Sequence, residues 1–193
     1  MTKNILIVGV GGQGTLLTGR IIGNHAMTKG LDVKMSEVHG MAQRGGSVVM
    51  QVKYGKKVYS PLVEVGEADI IFAFEKLEAL RYLPYLKENG VIIVNTQEID
   101  PMPVVMGADK YPENILETLK AGCKDHCFID ALTIAEEIGN VKVVNMIMIG
   151  AYAAYIGDSL EEWEEIVEKT VPAKTIEMNK VALRKGYAAY MEK

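Results

Sequence analysis

The stretch Asn4-Ile5-Leu6-Ile7-Val8-Gly9-Val10-Gly11-Gly12-Gln13-Gly14 decides how the rest of the chain is read. Residues 4–8 are a short apolar run, the pattern of a parallel strand buried on both faces. Gly9 closes the run and opens a G-x-G-x-x-G turn. Residues 15–29 then carry Leu16, Leu17, Ile21, Ile22 and Met27 at rough helical spacing, and Gly30 stops that helix. Strand, glycine turn and helix are the start of a βαβ unit. Such glycines let the backbone turn sharply and let a phosphate approach the first N–H groups of the helix, where the dipole also favours an anion. Gly11, Gly12, Gln13 and Gly14 are therefore candidate binding residues, although the same motif also serves as a tight turn that binds nothing.

Working outward, residues 33–38 and 47–54 read as a second and third strand. A right-handed βαβ unit predicts that the first two strands are adjacent and parallel. Gly55-Lys56-Lys57, between Val52 and Val58, predicts a hairpin turn and one antiparallel pair. Residues 70–74 are a fourth buried strand. Leu77, Leu80, Leu83 and Leu86 share a helical spacing that Asn89-Gly90 ends, and 91–95 is a fifth strand. Residues 101–112 are an irregular connection. Further elements are a helix over 114–121, a strand over 127–130 and a short helix over 134–138. The helix over 145–156 is apolar all round and so buried. Ser159 and Glu162 fit a capping box for 160–169, and Pro172 opens a last helix over 173–191. This alternation predicts one three-layer α/β domain over 1–193, with a mixed, mostly parallel sheet.

Composition sets the outer limits. The chain has 193 residues, 49% of them hydrophobic and 24% charged, which is ordinary for a globular domain. Its net charge is −4, and an acidic domain argues against nucleic acid as a partner. No apolar run reaches the roughly 18 residues that a membrane span needs. The longest candidate, 141–156, is interrupted by Lys142 and Asn145. The N-terminal apolar run ends in glycines without a cleavage signal, so it reads as a strand and the protein as cytoplasmic.

A second segment is Ser36-Glu37-Val38-His39-Gly40-Met41-Ala42-Gln43-Arg44-Gly45-Gly46-Ser47. Between two strands it gathers an acid, an imidazole, an amide, a guanidinium and three glycines. It lies at a strand's C-terminal end, where α/β sheets bind ligands. Arg44 beside glycines suits a phosphate or carboxylate held bidentately. Glu37 stands near the place where dinucleotide-binding turns keep an acid for a ribose. Glu37, His39, Gln43, Arg44, Gly45, Gly46 and Ser47 join the candidate binding set.

These two segments resemble the γ domain of 2-oxoacid:ferredoxin oxidoreductases. Tyr59-Ser60-Pro61-Leu62, Glu67-Ala68-Asp69, Phe74-Glu75-Lys76-Leu77-Glu78-Ala79-Leu80 and Asn95-Thr96 extend the resemblance over most of the chain. It is nearest to the branch acting on indolepyruvate and other aryl 2-oxoacids. The resemblance implies a Rossmann-like fold. It also implies a complex in which the oxoacid is decarboxylated on thiamine diphosphate, electrons pass through iron–sulfur clusters to ferredoxin, and coenzyme A takes the acyl group. In that branch the thiamine and clusters lie on a larger α subunit. This chain would then be a necessary partner that helps complete the coenzyme A region, holding no cofactor alone. Other readings are the γ subunit of a pyruvate, 2-oxoisovalerate or 2-oxoglutarate enzyme, a free-standing dinucleotide-binding oxidoreductase, or a non-catalytic binding module.

The residues themselves speak against metal chemistry in this chain. A [4Fe–4S] cluster takes four thiolates, and the chain has only Cys123 and Cys127. Their spacing suits at most half a zinc site, and His25, His39 and His126 are scattered.

Overall fold

The computed structural model describes residues 2–40 and 45–192. Strand β1 (Lys3–Val10) leads into helix α1 (Thr15–Thr28), followed by β2 (Asp32–His39) and β3 (Ser47–Gly55). An extended connection reaches β4 (Ala68–Ala73), then α2 (Lys76–Tyr82) and β5 (Leu86–Asn95). The four-residue helix α3 (Met102–Val105), α4 (Ile115–Gly122), β6 (Asp125–Ile129) and α5 (Ala131–Ile138) follow. Three helices close the chain: α6 (Val144–Ile156), α7 (Leu160–Thr170) and α8 (Ile176–Met191).

The strands make one six-stranded sheet in the order β2-β3-β1-β4-β5-β6. β1, β4, β5 and β6 pair in parallel, while β3 is antiparallel to both β1 and β2. The mixed, mostly parallel sheet predicted from the sequence is therefore present. One face of the sheet packs on Ile21 and Ile22 of α1 and on the apolar sides of α5 to α8. The other packs on Leu77 of α2, Leu119 of α4 and Val63 of the connection. Nothing among the described helices is long and apolar enough to cross a membrane.

Two expectations about the first strands need correction. β1 and β2 are parallel but not adjacent, because β3 lies between them. β3 is largely buried and takes the interior place, whereas β2 (DVKMSEVH) is mostly exposed and forms the edge. The antiparallel partner of β3 is β2, which precedes it; Gly55-Lys56-Lys57 makes no hairpin and opens an extended segment. The short link after His39 favours antiparallel neighbours, since a parallel return needs a long crossover.

The leucine-spaced helix is also shorter than its periodicity suggests. Pro84 ends α2 in a 3-10 turn over Leu83–Tyr85, and Asn89-Gly90 lie inside β5. A Cβ at Gly90 would stand 2.9 Å from the Ala68 carbonyl oxygen, so glycine admits the close strand approach there. The irregular 101–112 connection contains α3. The buried helix over 145–156 and the Ser159 cap are as read: α6 is buried from Val144 to Ala154, and Ser159 Oγ accepts from the Glu162 amide.

Candidate functional site

β1 delivers the glycine turn to the C-terminal edge of the sheet. Gly12 and Gly14 have φ of +104° and +88°, which glycine adopts without the Cβ penalty. The Gly11 amide donates to the Gly46 carbonyl at 2.8 Å and so joins the turn to the start of β3. Gln13 holds the turn from within. Its Oε1 accepts from the Val10 amide at 2.7 Å, and its Nε2 donates to the Phe74 carbonyl at 3.1 Å and to Gln97 Oε1 at 3.3 Å. Gly9 makes room for this arrangement, since a Cβ there would meet Gln13 Oε1 at 2.9 Å and Phe74 Cβ at 3.0 Å.

Helix α1 starts at Gly14 with no side-chain cap and no acidic residue in its first turn. Its first amides thus have no partner within the helix and point out of its end. Thr15 Oγ1, beside them, donates to Glu37 Oε1 at 3.3 Å. On this side a cleft of about 280 Å³ is lined by Gly12, Gly14, Thr15, Leu16, Glu37 and His39, among others. The structure therefore brings the glycine turn together with two residues of the second segment. They meet because β2 runs parallel to β1 and both end on one edge, although β3 separates them.

The remaining candidates divide. Gly45 has φ +75°, and Gly46 is tied to Gly11. Ser47 Oγ donates to Glu78 Oε2 at 2.6 Å, a carboxylate also held by Arg81 at 2.6 Å, so this hydroxyl serves the β3–α2 contact. Gln43 and Arg44 lie outside the described residues.

Three residues of the same edge carried no signal in the sequence. Across the turn from Glu37 lies a second cleft of about 510 Å³, into which Gln97, Lys142 and Asn145 converge with Gly12 and Gly14. They come from the end of β5, the turn before α6 and α6 itself. No spacing rule links positions 13, 97 and 145.

Several other polar groups have structural partners. Glu75 is buried and caps α2 by accepting from the Glu78 amide at 2.9 Å; the Tyr111 hydroxyl also donates to it. Burial pushes the Glu75 carboxyl up, and burial together with the hydrogen bond to Glu75 pushes the Tyr111 hydroxyl up. Cys123 is half-buried and Cys127 buried. Among the described residues His25, Asp158 and Glu162 bring ligand-type atoms within 4.8 Å of one another. The Lys29 ammonium fills that cluster, 2.6 Å from Asp158 and 3.4 Å from Glu162.

A chain with this sheet and this turn belongs to the pyruvate ferredoxin/flavodoxin oxidoreductase family, whose sequence model matches residues 4–189. Two relatives make the comparison more particular. The indolepyruvate oxidoreductase subunit IorB of Thermococcus kodakarensis is 41% identical over 197 residues, covering 98% of this chain and 96% of that one. The same subunit of Methanothermobacter thermautotrophicus is 40% identical over the whole of both chains. In fold, the chain is similar to the γ subunit of a keto/oxoacid ferredoxin oxidoreductase from Geobacter sulfurreducens, with TM-score 0.72, 24% identity and 99% of each chain covered. It also superposes on part of the 2-oxoglutarate:ferredoxin oxidoreductase of Magnetococcus marinus. There the TM-score is 0.74 at 20% identity, covering all of this chain and 31% of that longer one.

Proposed function

We propose that this chain is the smaller subunit of an indolepyruvate:ferredoxin oxidoreductase, acting in the coenzyme A-dependent oxidative decarboxylation of aryl 2-oxoacids. The observation that carries this reading is a gap in identity. Relatives named indolepyruvate oxidoreductase subunit IorB are 40–41% identical over nearly their whole length. The common γ subunit of the pyruvate/ketoisovalerate oxidoreductases of Pyrococcus furiosus is 29% identical, and a 2-oxoglutarate synthase subunit KorC 31%.

The donor chemistry of this chain does not fit an iron–sulfur cluster, since two cysteines cannot supply four thiolates. The resemblance implies that clusters and thiamine diphosphate lie on a larger partner subunit, which would pass electrons to ferredoxin. This chain's part is to bind and position. The uncapped start of α1 and the Arg44 guanidinium are the groups we assign to the phosphates of coenzyme A. Glu37, at the mouth of the smaller cleft, has the place of a hydroxyl acceptor for its ribose.

The test uses the complex reconstituted from both subunits. Wild type should reduce ferredoxin with indolepyruvate and coenzyme A, and faster than with pyruvate or 2-oxoglutarate. A charge-assisted contact is worth roughly 1.5–3 kcal/mol, or about 10- to 150-fold in affinity. Arg44→Ala should raise the apparent KM for coenzyme A by that factor and leave the KM for the oxoacid nearly unchanged. An assembled variant with normal coenzyme A kinetics overturns the assignment of Arg44. Loss of assembly would instead make Arg44 an interface residue. A preference for pyruvate or 2-oxoglutarate would move the chain to another branch of its family.

A further inference from the structure

We propose that the larger cleft, between the glycine turn and the start of α6, is an oxyanion site that takes a carboxylate or phosphate carried on an apolar body. The proposal stands on this cleft's own lining; it shares the glycine turn and the start of α1 with the proposed coenzyme A cleft, and the test separates the two through Gln97 and Asn145 on one side and Glu37 and His39 on the other.

The first observation is a side-chain donor with no acceptor among the described residues. Asn145 is 4% exposed. Its Oδ1 accepts from the Met146 amide at 3.0 Å, and its Nδ2 finds no acceptor among the described residues. That Nδ2 stands against the turn, since a Cβ at Gly14 would lie 2.9 Å from it. A ligand that brings an acceptor into the cleft would satisfy this donor on a largely buried side chain.

A second donor is oriented toward the same space. Gln97 Oε1 accepts from Gln13 Nε2 and from Asn95 Nδ2, each at 3.3 Å. This double acceptance sets the amide, and the Gln97 NH₂ is left as a donor in the lining. Among the described residues, Lys142 supplies the one formal charge in the lining, and none of them is a carboxylate. The smaller cleft differs in kind, because Glu37 lines it. On a chain of net charge −4, a lining of donors and one cation is a selective feature.

The helices add to the same field. α1, of 14 residues, begins at this cleft with no side-chain cap and no acid in its first turn; α6, of 13 residues, begins there as the continuation of a 3-10 turn over Val141–Val143 that Asn140 caps, likewise with no acid in its first turn. Their dipoles favour negative charge at that point. The walls around the donors are apolar, formed by Leu17, Ile99, Leu132 and Val144. A bare ion would leave them unused. The cleft volume of about 510 Å³ is that of a small-molecule site.

The experiment is an amide-detected NMR titration of the full chain, following Gly14 and the side-chain NH₂ signals of Gln97 and Asn145. The probes are phenylacetate, phenyl phosphate, inorganic phosphate and the neutral phenylacetamide. Phenylacetate and phenyl phosphate should shift all three sets of signals and compete with each other. Inorganic phosphate should do so more weakly, and phenylacetamide not at all. Binding of phenyl phosphate alone would narrow the ligand to phosphates, and of phenylacetate alone to carboxylates. Asn145→Leu should weaken binding about tenfold, the loss of one well-made hydrogen bond. Lys142→Met changes an exposed residue, so it tests the proposal in an intact fold. It should weaken binding by about three- to fivefold, with the difference shrinking as salt is raised. The proposal is overturned if no probe shifts these signals at millimolar concentration, if phenylacetamide binds as well as phenylacetate, or if Lys142→Met changes nothing. Shifts confined to Glu37 and His39 would also overturn it while leaving the proposed coenzyme A cleft in place.

Discussion

His25 shows how one side chain can tie stability to pH. It is buried on α1, stacked on Trp163 with ring centroids 4.0 Å apart. Its Nε2 lies 3.0 Å from Asp158 and 3.6 Å from Glu162, and Lys29 shares both carboxylates. Burial pushes the imidazole below its usual 6.5; Asp158 opposes that shift and Lys29 adds to it. The folded state is therefore slower than the unfolded chain to take up the proton. Stability from this site is fully present above about pH 6.5, the unfolded value, and is lost as pH falls below it. Melting temperatures of wild type and His25→Gln at about pH 7.5 and 5.5 check this sign. The acid-side loss should be smaller in the variant. Equal losses would show that His25 does not carry the effect.

Among the elements, the α6–α8 pair is the tightest. A Cβ at Gly186 would fall 1.8 Å from the Ile147 carbonyl oxygen, and one at Gly150 would fall 2.0 Å from that of Leu183. The two backbones touch, and only glycine fits at the crossing. In a free helix Gly→Ala stabilises by roughly 1 kcal/mol. Here the sign should reverse. Gly186→Ala forces the helices apart and should cost at least the roughly 1–3 kcal/mol of an overpacked core. For a domain of this size that lowers Tm by about 2–12 °C. A variant that melts at or above the wild-type temperature would refute the close crossing. The consequence reaches the edge of the sheet, because α6 also carries Asn145 beside the glycine turn.

At the scale of the whole molecule, the sheet buries both faces and gathers its candidate binding residues on one edge. Two clefts open there on either side of Gly12 and Gly14. Neither contains the thiolates that electron transfer through a cluster requires. The purified chain should therefore give no ferredoxin reduction from indolepyruvate and coenzyme A, and activity should return on adding the larger subunit loaded with its cofactors. Turnover by the chain alone, free of partner, would sink the proposed division of labour.

Local patterns in the sequence determined β1, the glycine turn, α1, the buried α6 and the Ser159 cap. Each rests on interactions within a few residues or on burial that periodicity records directly. The same holds for Gly12 and Gly14, whose positive φ is a property of the turn itself. Tertiary structure alone decided that β3 enters between β1 and β2. Two strand orders share the same local pattern, and only the competition for burial places β3 inside and β2 at the edge. It also decided that Gly9 makes way for Gln13 and that Gly150 and Gly186 seat two helices. The larger cleft belongs with these. Gln97, Lys142 and Asn145 are unremarkable where they stand in the chain, and they become a set of donors only because β5 and α6 end and begin beside the turn. Contacts between residues so far apart leave no periodicity, so that part of the site could be read only from the fold.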